Sequence, residues 1–585
     1  MTDGALTGLD EQQREAASIL RGPVCVLAGA GTGKTRVITH RIAHGIDTGA
    51  YTPSRVMAVT FTTKAAGEMR GRLRALGVPP VAARTFHSAA LAQLNHFWPQ
   101  VAGDSAPRIA DSKVRLLGQA ADGLGLRLDA ATLRDVASQI EWRKVTMRSI
   151  SAYAGARPNS AAGLDLTTLT DLMAAYEKLK DERRQLDFED VLLACAGMLE
   201  AEPRVTAQVR EQYRHFTVDE FQDVSPVQHR LLELWLGDRR DLCVVGDASQ
   251  TIYSFTGADP RYLLEFGARH PDARVVRLER NYRSDAGVLA VANALMRGRP
   301  GALELHTPEP AAFQPQVTGY PDDAAEAAGV AGRIAAQLAS GVEPASIAVL
   351  YRANAQSAPL LSALASRGIA ASVLGGKRFF DLPEVRQALL ALRGASVAPT
   401  ESGFVPAVRD VLRSLGLTDE APPAGGAQRE AWEARSALLR LAEDAPADMT
   451  LRRFTDDLQA RARDQHEPSM RTVTLATLHA AKGLEWDHVH LVGMVEGALP
   501  ISYASTFEQV DEERRLAYVG ITRAARTLSM SWSRSSGHRD RQRSRFLQEI
   551  GLRDGPARTS RPRPAGTGTP GAPGASATGG SRSGH

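Results

Sequence analysis

Residues 26–37, VLAGAGTGKTRV, run from a short apolar stretch into a glycine-rich loop and leave it through a lysine and a threonine. A strand-to-helix loop of this composition turns several backbone N–H groups toward one point, and the helix N-terminus adds positive potential there, so the loop suits a polyphosphate. Ala28, Gly29, Ala30, Gly31, Thr32 and Gly33 form the cradle, with Ala28 standing where the strict pattern has glycine. Lys34 reaches the β- and γ-phosphates, and Thr35 offers its hydroxyl to Mg2+. The feature needs a strand before it and a helix after it. That requirement points the chain toward an α/β architecture.

The rest of the sequence carries the same alternation. Short β-like runs (VCVLAG, RVMAVTF, HFTVDEF, DLCVVGD, ARVVRLE) alternate with helical stretches, the pattern of a parallel sheet. Residues 92–185 break it with helical periodicity and are expected to form a helical insertion. Strand signals return at SIAVLYR, give way to an Ala-, Arg- and Leu-rich helical stretch, and resume at TVTLATL and DHVHLVG. The expected division is a first core over 1–91 and 186–283, a second over 284–380 and 471–550, and a short helical insertion over 381–470. The tail, 551–585, is rich in Pro, Gly and Ser, with almost nothing apolar to offset its ordering entropy, and is expected to be disordered.

Composition narrows the class. At 585 residues with 43% hydrophobic and 23% charged residues, the chain can bury several cores, and it has no apolar run long enough to span a bilayer. The formal net charge of +4 equals that of the tail, which holds five arginines and one aspartate, so the remaining chain is neutral. Nucleic-acid binding must therefore rest on local groups. Cys25, Cys195 and Cys243 are few and set in apolar sequence, which suits buried thiols in a reducing compartment. No secretory signal is visible at the N-terminus, and the expected location is cytoplasmic, with no membrane partner.

A phosphate loop needs a carboxylate at a neighbouring strand end to hold Mg2+. Asp219 follows the apolar run of FTVDEFQD, and Glu220 beside it is suited to polarise an attacking water.

Further segments match, in order and spacing, those of the UvrD/Rep/PcrA type of superfamily-one DNA helicase. They are LDEQQREA, AVTFTTKAAGEM, ARTFHS, VVGDASQTIYSFTGA, ERNYRS, YRANAQS, GGKRFFDLPEVR, TLATLHAAKGLEWD, VEGALP and DEERRLAYVGITRA. The chain resembles that family over roughly residues 7 to 548, and its spelling is most similar to actinobacterial UvrD paralogues. The resemblance implies two RecA-like motor domains with ATP and Mg2+ between them. It implies an ATP-dependent 3′–5′ helicase or single-strand translocase, acting in repair, replication restart or displacement of DNA-bound proteins. Single-stranded and tailed duplex DNA are the implied partners, met by a monomer or a self-associating form at the nucleoid.

Carried onto this numbering, the resemblance places Gln13 on the adenine, Arg36 beside the phosphates and Glu485 on the ribose. It gives Gln250 the γ-phosphate, and makes Arg283 and Arg523 arginine fingers contributed from the second core. Tyr282 stacks on the adenine, with an ordinary core position as its alternative. Phe61, Tyr253 and Phe255 meet unstacked bases, with Phe61 alternatively a core side chain, and Thr60, Thr62, Lys64, Arg84, Thr85 and His87 lie near DNA phosphates. The segment before TLATLHAAKGLEWD is shorter than in relatives and lacks their Gly-Ile-Gly duplex loop, and Thr256 stands where the best-known members carry arginine. Two other readings rank lower. A helicase-nuclease needs a further metal-dependent domain after the motor, for which the segment following ITRA is expected to be too short. A nucleotide-switched, non-enzymatic DNA-binding subunit predicts damaged catalytic positions, whereas Lys34, Glu220 and Arg523 are intact.

Overall fold

Val24–Ala28 (β1), Val56–Thr60 (β2), Ala82–Thr85 (β3), His215–Val218 (β4), Leu242–Gly246 (β5) and Arg274–Leu278 (β6) form a parallel sheet of order β3-β2-β4-β5-β1-β6. The structure is a computed structural model that describes residues 4–554, apart from 157–162, 375–379, 381, 397–402, 421–426, 444, 447, 465–470 and 537–538. Most of the tail expected to be disordered, from residue 555 on, and part of the GGKRFFDLPEVR segment therefore lie outside the described residues.

The central strands are nearly continuous apolar runs because both faces of the sheet are covered. Val24, Val26, Cys243 and Val245 face a cluster with Val37, Ile38, Ile42 and Met69, while Cys25, Val218, Leu242 and Val244 face one built around Phe86, Leu192 and Trp235. All three cysteines are buried and free. After β1, β2 and β3 the chain turns directly into helices α2 (Lys34–Asp47), α3 (Thr63–Ala75) and α4 (Phe86–Ala102). An earlier helix, α1 (Glu11–Ser18), starts with a capping box between Asp10 and Gln13. Thr62 caps α3 by accepting from the amide of Ala65 at 3.1 Å, and Thr85 caps α4 by accepting from that of Ser88 at 3.1 Å. Three helix N-termini thus sit at the carboxyl edge of one sheet, where they favour anions.

The first helical insertion has its own core, formed by Lys113–Gly123 (α5), Ala130–Val145 (α6), Ile150–Ala156 (α7) and Leu166–Glu182 (α8). The sequence boundary at residue 92 falls inside α4, which runs unbroken to Ala102 and packs with Phe188–Ala201 (α9) in the first core. No glycine or proline interrupts α4 before Pro99, so composition offers no mark at 92. Buried Lys144 of α6 donates to Asp187 Oδ2 and Asp190 Oδ1, both at 2.6 Å, pinning the insertion to the start of α9.

The second sheet comprises Gln316–Asp322 (β7), Ile347–Tyr351 (β8), Ala371–Val373 (β9), Val473–Thr477 (β10), Trp486–Leu491 (β11), Ala524–Ser536 (β12) and Arg539–Asp540 (β13). Its order is β9-β10-β8-β11-β12-β13, with β7 also on β12, and only the β12–β13 pair is antiparallel. Alternation repeats here. Ile347, Val349 and Tyr351 face one cluster, Ala348 and Leu350 another. Helix α10 (Ala286–Met296) packs in the second of these, and Pro383–Ala395 (α11), Phe404–Ser414 (α12), Ala427–Glu443 (α13) and Leu451–Asp464 (α14) form a separate helical unit. Helix α15 (Phe507–Ile521) precedes β12. Ala30 of the glycine loop and Ile252 share a cluster with Leu478, Leu516 and Tyr518, so the two sheets meet through apolar packing beside the loop. Among the described residues, no helix is long and apolar enough to cross a membrane.

Candidate nucleotide cleft and DNA-contact row

The glycine loop leaves β1 and enters α2 with Gly31 at φ +70° and Gly33 at φ +86°, backbone conformations that L side chains rarely adopt. A Cβ on Gly31 would lie 2.6 Å from Asn281 Nδ2 and 2.9 Å from Arg283 Cβ, and one on Gly33 would lie 2.8 Å from Gln13 Nε2. The loop is therefore gripped from outside. Gln13 donates to the Thr32 carbonyl at 2.9 Å, and the Thr32 hydroxyl donates to the Gly29 carbonyl at 2.8 Å. Lys34 Nζ rests on the Ala28 carbonyl at 3.3 Å, and Arg36 donates to the Gly8 carbonyl at 2.7 Å.

Asp219 and Glu220 follow β4, and Glu220 has φ +52°. A non-glycine residue held there marks local strain of the kind found at functional sites. Burial, aided by the Glu220 carboxylate, pushes Asp219 up to about 7. Burial acts on Glu220 in the same direction, but Lys34 and then Lys482 outweigh it and hold that carboxyl below its usual value. Gln222 ties the acidic pair to the next strand end, donating to Glu220 Oε2 at 2.5 Å and accepting from the Asp247 amide at 3.0 Å. Asp247 in turn accepts from Gln250 Nε2 at 2.7 Å.

Across from these groups lies Arg523, 2% exposed at the end of α15. Its guanidinium donates to the carbonyls of Val519 (2.9 Å) and Leu484 (3.0 Å) and to the Thr522 hydroxyl (3.2 Å). All of these partners are neutral. Burial first, and the Arg283 charge second, pull Arg523 down to about 9. A buried cation in this position gains from an anion brought beside it. Arg283 itself stands on the strap joining the two sheets. Tyr282 N donates to the Gly31 carbonyl (2.9 Å), while the Ser284 hydroxyl and Asp285 N donate to the carbonyls of Ala524 and Ala525, each at 2.8 Å. Its Nε pairs with Glu485 Oε2 at 2.5 Å, so the carboxylate expected at a ribose is paired with the guanidinium expected at a phosphate.

These groups fit a nucleotide with Mg2+. Among the described residues, no cluster of three or more His, Cys, Asp or Glu could hold a metal. Asp219 with the Thr35 hydroxyl is instead the sparse oxygen set that suits Mg2+ shared with phosphates and waters. A divalent cation would also offset the two adjacent carboxylates. Tyr282 is half exposed, which removes the core alternative, and its hydroxyl donates to Asp10. The Arg280 guanidinium stands over the ring, 5.3 Å from its centre, and the half of the residue left exposed is open to a stacking partner.

A second group lies along the same edge. The Phe61 and Tyr253 rings stack at 5.7 Å and 11°, Tyr253 lies 6.2 Å from Phe255, and His479 meets Phe255 edge-on at 5.8 Å. Phe61 is 39% and Phe255 60% exposed, so Phe61 is not a core side chain. His87 stacks on Phe188 at 3.8 Å, and burial lowers the imidazole to about 4, leaving it neutral near pH 7. Lys64 and Arg84 are exposed near the starts of α3 and α4, with the caps Thr62 and Thr85. Thr60 differs. It is buried at the end of β2, so its side chain has no surface to offer a strand.

Sequence reasoning did not single out Asn281, Gln222, Phe188, His479 or Lys482. Asn281 donates to the Ala30 carbonyl at 2.6 Å and accepts from the Arg283 and Ser284 amides at 2.8 and 2.7 Å. It and Lys482 lie inside quoted segments, ERNYRS and TLATLHAAKGLEWD, while Phe188 follows Asp187, the cap of α9.

Comparison with known proteins gives the family. Residues 9–271 match the model of the UvrD/REP helicase N-terminal domain, and residues 276–396 and 432–535 that of the UvrD-like helicase C-terminal domain. The chain is 48% identical over 580 residues to the ATP-dependent DNA helicase UvrD2 of Mycobacterium tuberculosis, covering 94% of this chain and 82% of that protein. It is 30% identical over 641 residues to the ATP-dependent DNA helicase Rep of Escherichia coli, covering 93% and 94%. Over 635 residues it is 28% identical to the ATP-dependent DNA helicase PcrA of Bacillus subtilis, covering 90% and 83%.

Proposed function

The chain belongs to the UvrD/REP helicase family, and from that premise we propose that it is a DNA-dependent ATPase and DNA helicase that moves 3′–5′ along a single strand. The observation that carries the reading is Arg523: a buried guanidinium with only neutral partners, in the field of Glu220 and across the junction from Lys34.

In this reading the loop amides and Lys34 hold the phosphates, Gln13 and Tyr282 hold the base, and Thr35 and Asp219 hold Mg2+. Bound there, Mg2+ would neutralise phosphate charge. Glu220 takes the proton of the attacking water. Arg283 leaves Glu485 for the phosphate, and the freed carboxylate turns to the ribose. Arg283 and Arg523 then neutralise charge developing on the transferred group, a task to which a planar guanidinium fork is suited. Gln250 lies between this chemistry and the aromatic row, joined through Asp247 to the acidic side and followed three and five residues on by Tyr253 and Phe255.

Phe61, Tyr253 and Phe255 grip bases through their faces, which every base offers, so the grip is blind to sequence. Lys64, Arg84, Thr62, Thr85 and His87 follow the backbone. Because the cleft tightens on the γ-phosphate and relaxes after its loss, a strand held alternately by the two cores is ratcheted. Repair, replication restart and removal of DNA-bound proteins at the nucleoid are the settings for such a motor.

The test measures ATP turnover with single-stranded, tailed and blunt DNA, then displacement of a labelled strand from substrates with either tail. The expected result is turnover stimulated by single strands, and displacement confined to 3′-tailed substrates. Lys34→Ala should abolish turnover while single-strand binding survives. Displacement from 5′ tails alone would contradict the polarity, and turnover without displacement would make the chain a translocase.

A further inference from the structure

Lys482 belongs to the second sheet, on the loop between β10 and β11, yet its ammonium is committed to atoms of the first. Nζ donates to Asp223 Oδ2 at 2.5 Å and to the Gln250 carbonyl at 2.6 Å, and stands 4.9 Å from the centre of the Tyr253 ring. The lysine side chain is 9% exposed and that of Asp223 1%. The partners belong to different working parts. Asp223 ends the short turn that begins after Glu220, Gln250 is bonded to Asp247 near the phosphate loop, and the partly buried Tyr253 joins the aromatic row with Phe61. Neighbouring contacts across the same junction run through backbone or a single carboxylate: Arg515 Nε to the Thr251 carbonyl at 2.7 Å and Ser254 N to Glu512 Oε1 at 3.0 Å.

We propose that Lys482 is the positioning residue that transmits relative motion of the two cores to the strand grip, by moving Asp223, the Gln250 backbone and the Tyr253 ring as one unit. The proposal rests on the motor reading above and assigns the part that links its two sites. A nearly buried ammonium separated from its carboxylate leaves two uncompensated charges, so the pair resists separation and shifts together. The cation also lies within cation–π range of the ring on which a base would stack, so a displaced Lys482 changes the stacking partner's position and its electrostatics at once.

The test uses the full chain with Lys482→Met and Lys482→Arg, an oligothymidylate carrying one 2-aminopurine, and a non-hydrolysable ATP analogue. For Lys482→Met, DNA stimulation of turnover should fall about tenfold or more, and the analogue should no longer change 2-aminopurine fluorescence. Analogue affinity, and strand affinity without nucleotide, should each stay within about threefold, and Lys482→Arg should restore the fluorescence change. A merely structural role would lower all readouts together and would not recover with arginine. Either that pattern, or stimulation and fluorescence response in Lys482→Met equal to the parent's, overturns the proposal. If Lys482→Met does not fold, Asp223→Asn removes the charge pair from the other side, and an unchanged fluorescence response there overturns it equally. A parent protein whose turnover ignores DNA sinks the motor reading and this proposal with it. A stimulated parent beside an equally stimulated Lys482→Met sinks the pin alone.

Discussion

Asn281 donates its side-chain amide to the Ala30 carbonyl at 2.6 Å, tying the strap that carries Arg283 to the phosphate loop. Its oxygen simultaneously receives the Arg283 and Ser284 amides. Asn281→Ala leaves these buried groups unpaired, at about 1–3 kcal/mol for each unsatisfied group, and lets Arg283 drift. Turnover with DNA should fall about tenfold or more, while ATP-analogue affinity changes less. Steady-state kinetics with a direct binding titration checks this, and an unaltered kcat would show that the strap needs no such tie.

Tyr282 is half exposed and Phe255 is 60% exposed, so neither supports the core. Tyr282→Ala should raise KM for ATP and leave kcat and thermal stability close to the parent's. Phe255→Ala should instead weaken single-strand binding by about 1–3 kcal/mol, the range for one base–aromatic stack. Fluorescence anisotropy with oligothymidylate and ATP saturation curves separate the two effects. A shared effect of both variants on one readout would contradict the division of the edge into two sites.

Burial holds His490 down to about 3 and His479 down to about 4, the latter helped by Arg352 and Lys482. In the unfolded chain both titrate near pH 6.5. Between about pH 6.5 and about pH 4 the unfolded state therefore binds more protons than the folded one, so stability present at neutral pH is lost as pH falls through that window. His490 bonds Gln337 and Ser529 through its two ring nitrogens, both at less than 3 Å (2.9 and 2.6 Å). His490→Gln removes the titration, and its melting temperature should fall less steeply with acid than the parent's. Parallel curves would assign the acid sensitivity elsewhere.

The strands and the glycine loop are legible in the sequence because each depends on local pattern. Runs such as VCVLA and LCVVG are apolar throughout, and the loop needs glycines where φ turns positive. Asp219 is legible as the first carboxylate after the β-like run HFTV. The course of α4 is not, since a helix shared between core and insertion changes neither composition nor period at residue 92. Pairings across the chain are equally silent. Arg283 with Glu485 and Lys482 with Asp223 join residues more than two hundred positions apart, and nothing near either partner announces the other. Thr60 and Tyr282 illustrate a third limit. Whether the end of a strand is covered, or a tyrosine on a strap is open, is decided by what packs beside it: Thr60, expected near a DNA phosphate, is buried, and Tyr282, for which a core position stood as the alternative, is exposed.

Arg523→Ala puts the two-walled cleft to its most direct test, through DNA-stimulated ATP turnover measured beside ATP-analogue affinity. If the buried guanidinium neutralises charge on the transferred phosphoryl group, kcat should fall about 10³-fold or more while analogue affinity falls far less. A kcat within about threefold of the parent's would place Arg523 outside the chemistry and contradict the cleft as the seat of turnover.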